Sequence, residues 1–449
     1  MQNITFLTAA LAAVIGSTAA QTVSGTPEGF AAGTTGGAAG ETVTPTSTDE
    51  LVTYLTADQP YTILITQEFD FTGTEGSKTE TGCAPWGTEA ACQLAINANN
   101  WCTDYQSGAG AVQVTYDVAG TSPIDVASDK TILGVGSGAV IRGKGLRMSN
   151  GVSNIIVQNI AITELNPQYV WGGDALTLDG TSNIWIDHVK VSLIGRMFLV
   201  TGYNANTGVT ISNSDFDGVT DWSASCDNNH YWALFFVGDG DQITFKNNYV
   251  HNVSGRSPKI DTGSFVHVVN NYWSDIPGQA FEGQGGFAIV EGNMFENVNA
   301  IQSDFAGAMY APSTDDSACS SALGRACMAN AYTSSPSLAF MDTSALDKIS
   351  GLEVADAVDA ASAKSAASNA GNTLVSGSSG TAPETGAGAG SGSNNTTPAL
   401  SSTAVAPTSS VALSTPAISL PTEGVSAAAS PSAAPVPEES ECEIELIYL

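Results

Sequence analysis

The stretch SGRSPK sets Arg256 and Lys259 three residues apart, beside turn-forming Ser-Gly and Ser-Pro pairs, in a chain of 449 residues with 13 Lys and Arg against 44 Asp and Glu. Where cations are this scarce, a cluster of them is informative. Two other short stretches concentrate charge: VWGGDA carries Asp174, and SLIGRMF carries Arg196, eight residues after His188. Grouped cations suit a reaction in which negative charge develops, because fixed positive charge stabilises the transition state more than a neutral ground state. A guanidinium is a poor base, with a pKa above about 12. Burial and neighbouring positive charge would have to disfavour its charged form before it took up a proton. The competing account is that Arg196 and Arg256 pair with some of the many surface carboxylates. Spacing alone leaves both open.

The elements that must position these groups are repetitive. NIIVQNIAIT, NIWIDHVKVS, GVTISNSDFD, DQITFKNNYV, SFVHVVNNYW and FAIVEGNMFE each place β-branched or apolar residues before an Asn, Asp or His. The last three align on Asn248, Asn271 and Asn293, at intervals of 23 and 22 residues, and earlier intervals are longer, as loop insertions would make them. Short strands recurring at this period, with no helical pattern between them, predict an all-β solenoid. The expected form is a right-handed single-stranded parallel β-helix with long loops forming a lateral cleft. The recurring asparagines read as a structural stack at tight bends, and His188 in WIDH as a satisfied turn residue. On such a solenoid, residues distant in sequence meet on one face of adjacent coils. The segments of Asp174, Arg196 and Arg256 can therefore converge.

Solenoids bind long polymers along one side, and a polysaccharide groove needs aromatic faces on which sugars stack. Trp86, Trp101, Trp171 and Trp232 lie in Gly-, Asn- or Cys-rich segments outside the repeats and are candidates for that role, with packing as the alternative. Trp185 and Trp273 lie within repeats and read as packing.

A formal charge of −31 argues against nucleic acid or an anionic membrane as partner. It also argues against a strongly polyanionic substrate. Residues 1–20 read as a secretory signal cut near Ala20, and no later apolar run approaches the ~20 residues of a membrane helix. A soluble, extracellular monomer is expected. Seven cysteines suit an oxidising compartment. Cys319 and Cys327 are close enough to staple one loop, and spacing leaves the other pairings open. No CxxC pair or His/Cys cluster suggests a metal site. Residues 21–350 are expected to form the folded domain. Residues 351–449, rich in Ala, Ser, Thr, Pro and Gly with Tyr448 as their one aromatic residue, are expected to form a disordered, O-glycosylated tail. Asn252, Asn394 and Asn395 each begin an N-glycosylation sequon.

From about Thr22 to Gly351 the sequence resembles the fungal pectin lyases, relatives of the pectate lyases. The resemblance runs in order through GFAAGTTGG, TPTSTDELVTYL, FDFTGTEGSKTETGCAPWGT, NPQYVWGGDALTLD, WIDHVKVSLIGR, HYWALFF and SGRSPK. It implies a parallel β-helix and an extracellular enzyme that cleaves methyl-esterified polygalacturonan by β-elimination. It also implies a catalytic base at Arg256, accompanying basic residues at Arg196 and Lys259, and a cleft acid at Asp174. The implied disulfides are Cys83–Cys102, Cys92–Cys226 and Cys319–Cys327, which leaves Cys442 over. The implied aromatic subsite residues are Trp86, Trp101, Trp171, Tyr231 and Trp232.

Elimination removes the C5 proton of a galacturonate and expels O4. A neutral C6 methyl ester makes that proton more acidic, whereas a bare carboxylate needs a cation to offset the growing charge. The resemblance places Arg196 where pectate lyases carry a calcium-binding acid, so no calcium and no other cofactor is expected. The acidic chain also suits nearly neutral methyl-esterified pectin as substrate. Two alternatives compete. A polygalacturonase on this fold needs two or three close carboxylates, and the motifs expected of one, Asn-Thr-Asp, Gly-His-Gly and Arg-Ile-Lys, are absent. A non-catalytic pectin-binding β-helix would suit the Ser/Thr-rich tail.

Overall fold

The computed structural model describes residues 22–314 and 316–375. The expected leader, residues 1–20, lies outside the described residues, as do Asn394, Asn395 and Cys442.

Alternating apolar residues in the repeats become stacked parallel strands. Ile132, Val157, Ile186, Ile211, Phe245, Val268 and Val290 pair in register from coil to coil. All seven are fully buried, so one column of side chains runs down the interior of a parallel β-helix. After each strand the chain turns a corner through one residue in the left-handed region. Asn159, His188, Asn213, Asn247 and Asn270 hold φ between +47° and +61°, and Gly292 takes the same place at +63°. Asn tolerates that conformation better than most residues with a Cβ. His188 is a turn residue in this series, with its Nδ1 2.7 Å from Asp187 Oδ2.

The next position carries the asparagine stack expected at Asn248, Asn271 and Asn293, and Asn330 extends it. Asn271 Oδ1 accepts from Asn248 N and Nδ2 at 2.9 and 3.0 Å. Asn293 Oδ1 accepts from Asn271 N at 2.8 Å, and Asn330 Oδ1 from Asn293 N at 3.0 Å. Each amide thus satisfies backbone donors of the preceding coil that the bend leaves out of the sheet.

A second face of the helix is the sheet that positions the charged residues. Its strands are β1 (Ile124–Asp125), β2 (Leu146–Ser149), β3 (Leu176–Asp179), β4 (Leu199–Thr201), β5 (Leu234–Phe236), β6 (Lys259–Ile260) and the middle of β7 (Tyr272–Glu291), which pairs in turn with β8 (Met294–Tyr310). Ile124, Leu146, Leu176, Leu199 and Leu234 form its buried inward row. The alternate row must then face outward, and it reads Asp125, Arg147, Thr177, Val200, Phe235, Lys259, Glu282.

Beside this face stands a small antiparallel sheet in which Ser77–Ala84 pairs with Gly110–Asp117. Cys83–Cys102 closes it internally, and Cys92–Cys226 ties it to the loop ahead of β5. The third bridge joins Cys319 to Cys327. All three pairings are those the resemblance implies.

The expected end of the folded domain at residue 350 needs correction. Residues 351–375 lie on the β-helix and include a 3-10 turn at Ala360–Ser365 and a helical turn at Ala366–Asn369. Two of the corner asparagines hold this segment: Asn270 exchanges hydrogen bonds with both backbone groups of Val358, and Asn159 with both of Leu374. Ala363, Ala366 and Ala370 pack against Tyr272 and Met294. An Ala-rich segment without aromatics cannot fold by itself, yet it can cover apolar surface that the helix supplies. Among the described residues no helix is long and apolar enough to cross a membrane.

Candidate active site

Three of the candidate charged groups sit just ahead of a strand of the β1–β6 sheet, and the fourth, Lys259, opens β6. Asp174 precedes β3 by two residues, Arg196 precedes β4 by three, and Arg256 precedes β6 by three. Trp232 stands two residues ahead of β5, between them. Because these strands stack in order, segments far apart in sequence arrive on successive coils of one face.

Their partners are specific. Asp174 Oδ1 accepts from Met197 N at 2.8 Å, and its Oδ2 accepts from Arg196 Nη1 at 3.2 Å. The Arg196 guanidinium lies 4.2 Å from the Trp171 ring centre, and its side chain is 3% exposed. Arg256 is more enclosed, at 1%. Its guanidinium carbon lies 4.6 Å from the Trp232 ring and 5.3 Å from Phe235, and its Nε is 3.6 Å from Glu282 Oε1. Lys259 Nζ sits 5.1 Å from Phe235 and 3.6 Å from Asp261 Oδ2. Both arginines do pair with carboxylates. The partners belong to neighbouring coils of the same face, however, and are not incidental surface acids. A cavity of about 430 Å³ is lined by Asp174, Arg196, Trp171, Thr177, Arg147 and Tyr116 among others. Arg256 and Lys259 do not line it; they lie further along the sheet.

The five aromatic candidates gather here, with a correction to how they do so. Trp86 lies 6.5 Å from Trp101 and 5.8 Å from Trp232, Trp101 lies 5.7 Å from Trp171, and Tyr231 lies 4.9 Å from Trp232, centre to centre. Trp101 and Trp232 are only 2% and 3% exposed, so neither presents an open face on which a sugar can stack. Their segments are loops, but the loops close on one another and on Cys83–Cys102. Trp86, Trp171 and Tyr231 remain half-buried at the edge of the cluster.

Three buried polar residues that carry no sequence signal hold this arrangement. Gln93 donates from Nε2 to the Gly195 carbonyl at 2.6 Å and accepts from Trp232 Nε1 at 3.0 Å. His230 stacks 4.4 Å from Phe198, and its Nε2–H reaches the carbonyls of Arg196 at 2.7 Å and Trp232 at 3.0 Å. Burial holds the His230 imidazole down at about 4, so it stays neutral and keeps this donor role. The third is Glu282, whose carboxyl is pushed above the usual range by burial, against the pull of Arg256, Lys259 and Gln279.

The pectate lyase family model matches residues 4–374. A probable pectin lyase A from Aspergillus oryzae is 52% identical over 355 residues, spanning 78% of this chain and 94% of the relative. A second from Aspergillus clavatus is 52% identical over 361 residues, spanning 80% and 95%. The chain belongs to the pectate lyase family. Within it, the close sequence likeness is to pectin lyases. Among solved structures, a pectate lyase from Bacillus sp. N165 in complex with trigalacturonate aligns with a TM-score of 0.51 at 20% identity, covering 77% of this chain and 98% of that one. A pectate lyase from Paenibacillus sp. 0602 gives 0.52 at 14%, covering 77% and 96%. These two share the parallel β-helix fold.

Calcium, on which pectate lyases rely, takes about six to eight oxygen ligands. Besides Glu80, one carboxylate lines the cavity, that of Asp174. Its two oxygens are engaged by the Arg196 guanidinium and by a backbone N–H. No group of three or more His, Cys, Asp or Glu that would hold a metal ion occurs among the described residues. The donor set does not fit calcium.

Proposed function

We propose that this protein is an extracellular lyase that cleaves methyl-esterified polygalacturonan within the chain by β-elimination, without calcium. The observation that carries the reading is the Arg196–Asp174 pair, which places a fixed guanidinium at the cleft where a bound cation would otherwise be required. The pectin lyases at 52% identity support the substrate class. Three disulfides and the leader-like first twenty residues support an oxidising, extracellular destination.

In this reading Arg256 accepts the C5 proton, the C5–H electron pair forms the C4–C5 double bond, and the C4–O4 bond breaks with its pair on O4. Arg196 and Lys259 stabilise the charge that spreads onto the C6 ester oxygen. Asp174 orients Arg196 through a charge-assisted hydrogen bond. Sugar stacking falls to Trp86, Trp171 and Tyr231, with Trp101 and Trp232 as packed support. Mass spectrometry of the oligosaccharides released from highly esterified pectin tests the reaction type. Unsaturated, dehydrated ends are expected; saturated ends carrying the elements of water would replace this reading with hydrolysis.

A further inference from the structure

Arg147 brings a second guanidinium to the cavity at Asp174 and Arg196. It stands in the outward row of the sheet, in register with Thr177 on the next coil, which also lines the cavity. Arg147 donates from Nε and Nη2 to the two oxygens of Asp125 on β1, at 2.6 and 3.0 Å. A guanidinium has five N–H donors in one plane. Asp125 therefore fixes that plane through one edge and leaves the Nη1–Nη2 edge for a ligand.

The carboxylates that line the cavity are already engaged. Asp174 is held by Arg196 and by Met197 N. Glu80 accepts from the Tyr116 hydroxyl at 2.7 Å and pairs through its other oxygen with Lys78 Nζ at 2.6 Å. Asn97 uses Oδ1 to accept from Cys102 N at 2.8 Å, so its amide Nδ2 is left as a donor. Lys78, Arg147 and Arg196 together set three cations on the cavity against two carboxylates. In a chain of net charge −31 that excess is local, and with donors left over it suits an anion rich in acceptors.

Resting on the reading under Proposed function, we infer that Arg147 is a specificity-determining residue that binds the free C6 carboxylate of a non-reacting galacturonosyl unit. Four strand spacings separate Arg147 from Lys259 along the outward row, about 19 Å at the usual distance between strands. The unit held at Arg147 is therefore distinct from the esterified unit that loses its proton at Arg256. The two parallel N–H groups of the open edge match both oxygens of a carboxylate. A methyl ester offers one carbonyl oxygen and no charge, so it meets only part of this edge. The enzyme would then favour stretches of pectin in which a free acid lies a few units from an ester.

The test compares fully methyl-esterified pectin with the same pectin partly de-esterified at random, with chelator present, by the initial rate of unsaturated product. In Arg147→Gln, kcat/KM should fall further on the partly de-esterified pectin than on the fully esterified one, by about tenfold or more and through KM, as loss of a hydrogen bond to a charged group predicts. The Asp125 side chain is 64% exposed, so water replaces its contacts with Arg147 and the variant should fold. A second reading needs wild type alone. Mass spectrometry of its products from the partly de-esterified pectin should find free carboxyls recurring at a fixed position from a new chain end. Equal losses on the two substrates, no loss in Arg147→Gln, or free carboxyls placed at random in the wild-type products would each overturn the inference. Wild type that yields no unsaturated product from either substrate defeats the parent reading instead.

Discussion

Arg256 holds φ at +49°, in the left-handed region that residues with a Cβ seldom occupy. Such backbone costs on the order of 1–3 kcal/mol and persists where the surroundings hold it, here the Trp232 and Phe235 rings and Glu282. Arg256→Ala should lower kcat by about 10²–10⁴-fold, as expected for loss of a proton-transferring group. Arg256→Lys should fail similarly, because an ammonium does not reproduce the guanidinium fork. Release of unsaturated product, followed by ultraviolet absorbance, measures both, and near-wild-type rates in either would remove Arg256 from the reaction. At this scale the sequence is legible where residue type is rare. Arg196, Arg256 and Lys259 stand out among 13 cations. Gln93, His230 and Glu282 do not, since each works through partners on other coils; Gln93 and Trp232 are 139 positions apart. No local spacing encodes such a contact. The burial of Trp101 and Trp232 is hidden for a related reason, because Gly- and Cys-rich context marks a loop without telling what the loop packs against.

The recurring elements are more legible, because a 22–23-residue period registers one coil on the next. Asn271→Ala would strip the amide that serves Asn248 N and Nδ2 and the Phe245 carbonyl. Leaving such buried groups unserved costs about 1–3 kcal/mol, so the urea midpoint should fall; an unchanged midpoint would reduce the stack to coincidence. The strap at residues 351–375 gives a second test. Truncation after 350 should lower the midpoint, because Asn159 and Asn270 lose their backbone partners and Tyr272 loses its alanine cover. Truncation after 375 should leave these contacts intact, and equal midpoints for the two truncations would show that the strap contributes nothing. Composition averaged over the whole stretch from 351 hides this boundary, since residues 351–375 share the Ala and Ser bias of residues 376–449.

For the whole molecule, two buried carboxylates pull stability in opposite directions with pH. Burial pushes Asp241 up to about 6 despite hydrogen bonds from Thr201, Asn206 and Ser264. At this group the folded state therefore binds more protons than the unfolded chain between about pH 4 and 6, and its contribution to stability falls by about 3 kcal/mol across that window as pH rises. Glu291 runs the other way: burial pushes it up, but His267 and Arg325 hold it down at about 2. Its contribution is present above the ordinary glutamate range and is lost as pH falls towards 2. His230, held down at about 4, opposes Asp241 across the same window, because there the unfolded chain binds the imidazole proton and the folded state does not. Asp241→Asn should leave the His230 contribution unopposed, so its urea midpoint should climb more steeply than that of wild type from about pH 4 to 6, and a wild-type slope in that variant would contradict the assignment. The overall charge of −31 bears on substrate choice, since it repels de-esterified pectate but not the methyl ester. The most direct test of the central claim compares highly esterified pectin with pectate, each with chelator and then with added calcium, by the absorbance of unsaturated ends. The pairing of Arg196 with Asp174 predicts rapid elimination on pectin that chelator does not slow, and little on pectate with or without calcium. Activity that chelator abolishes, or that appears on pectate only when calcium is added, would contradict it.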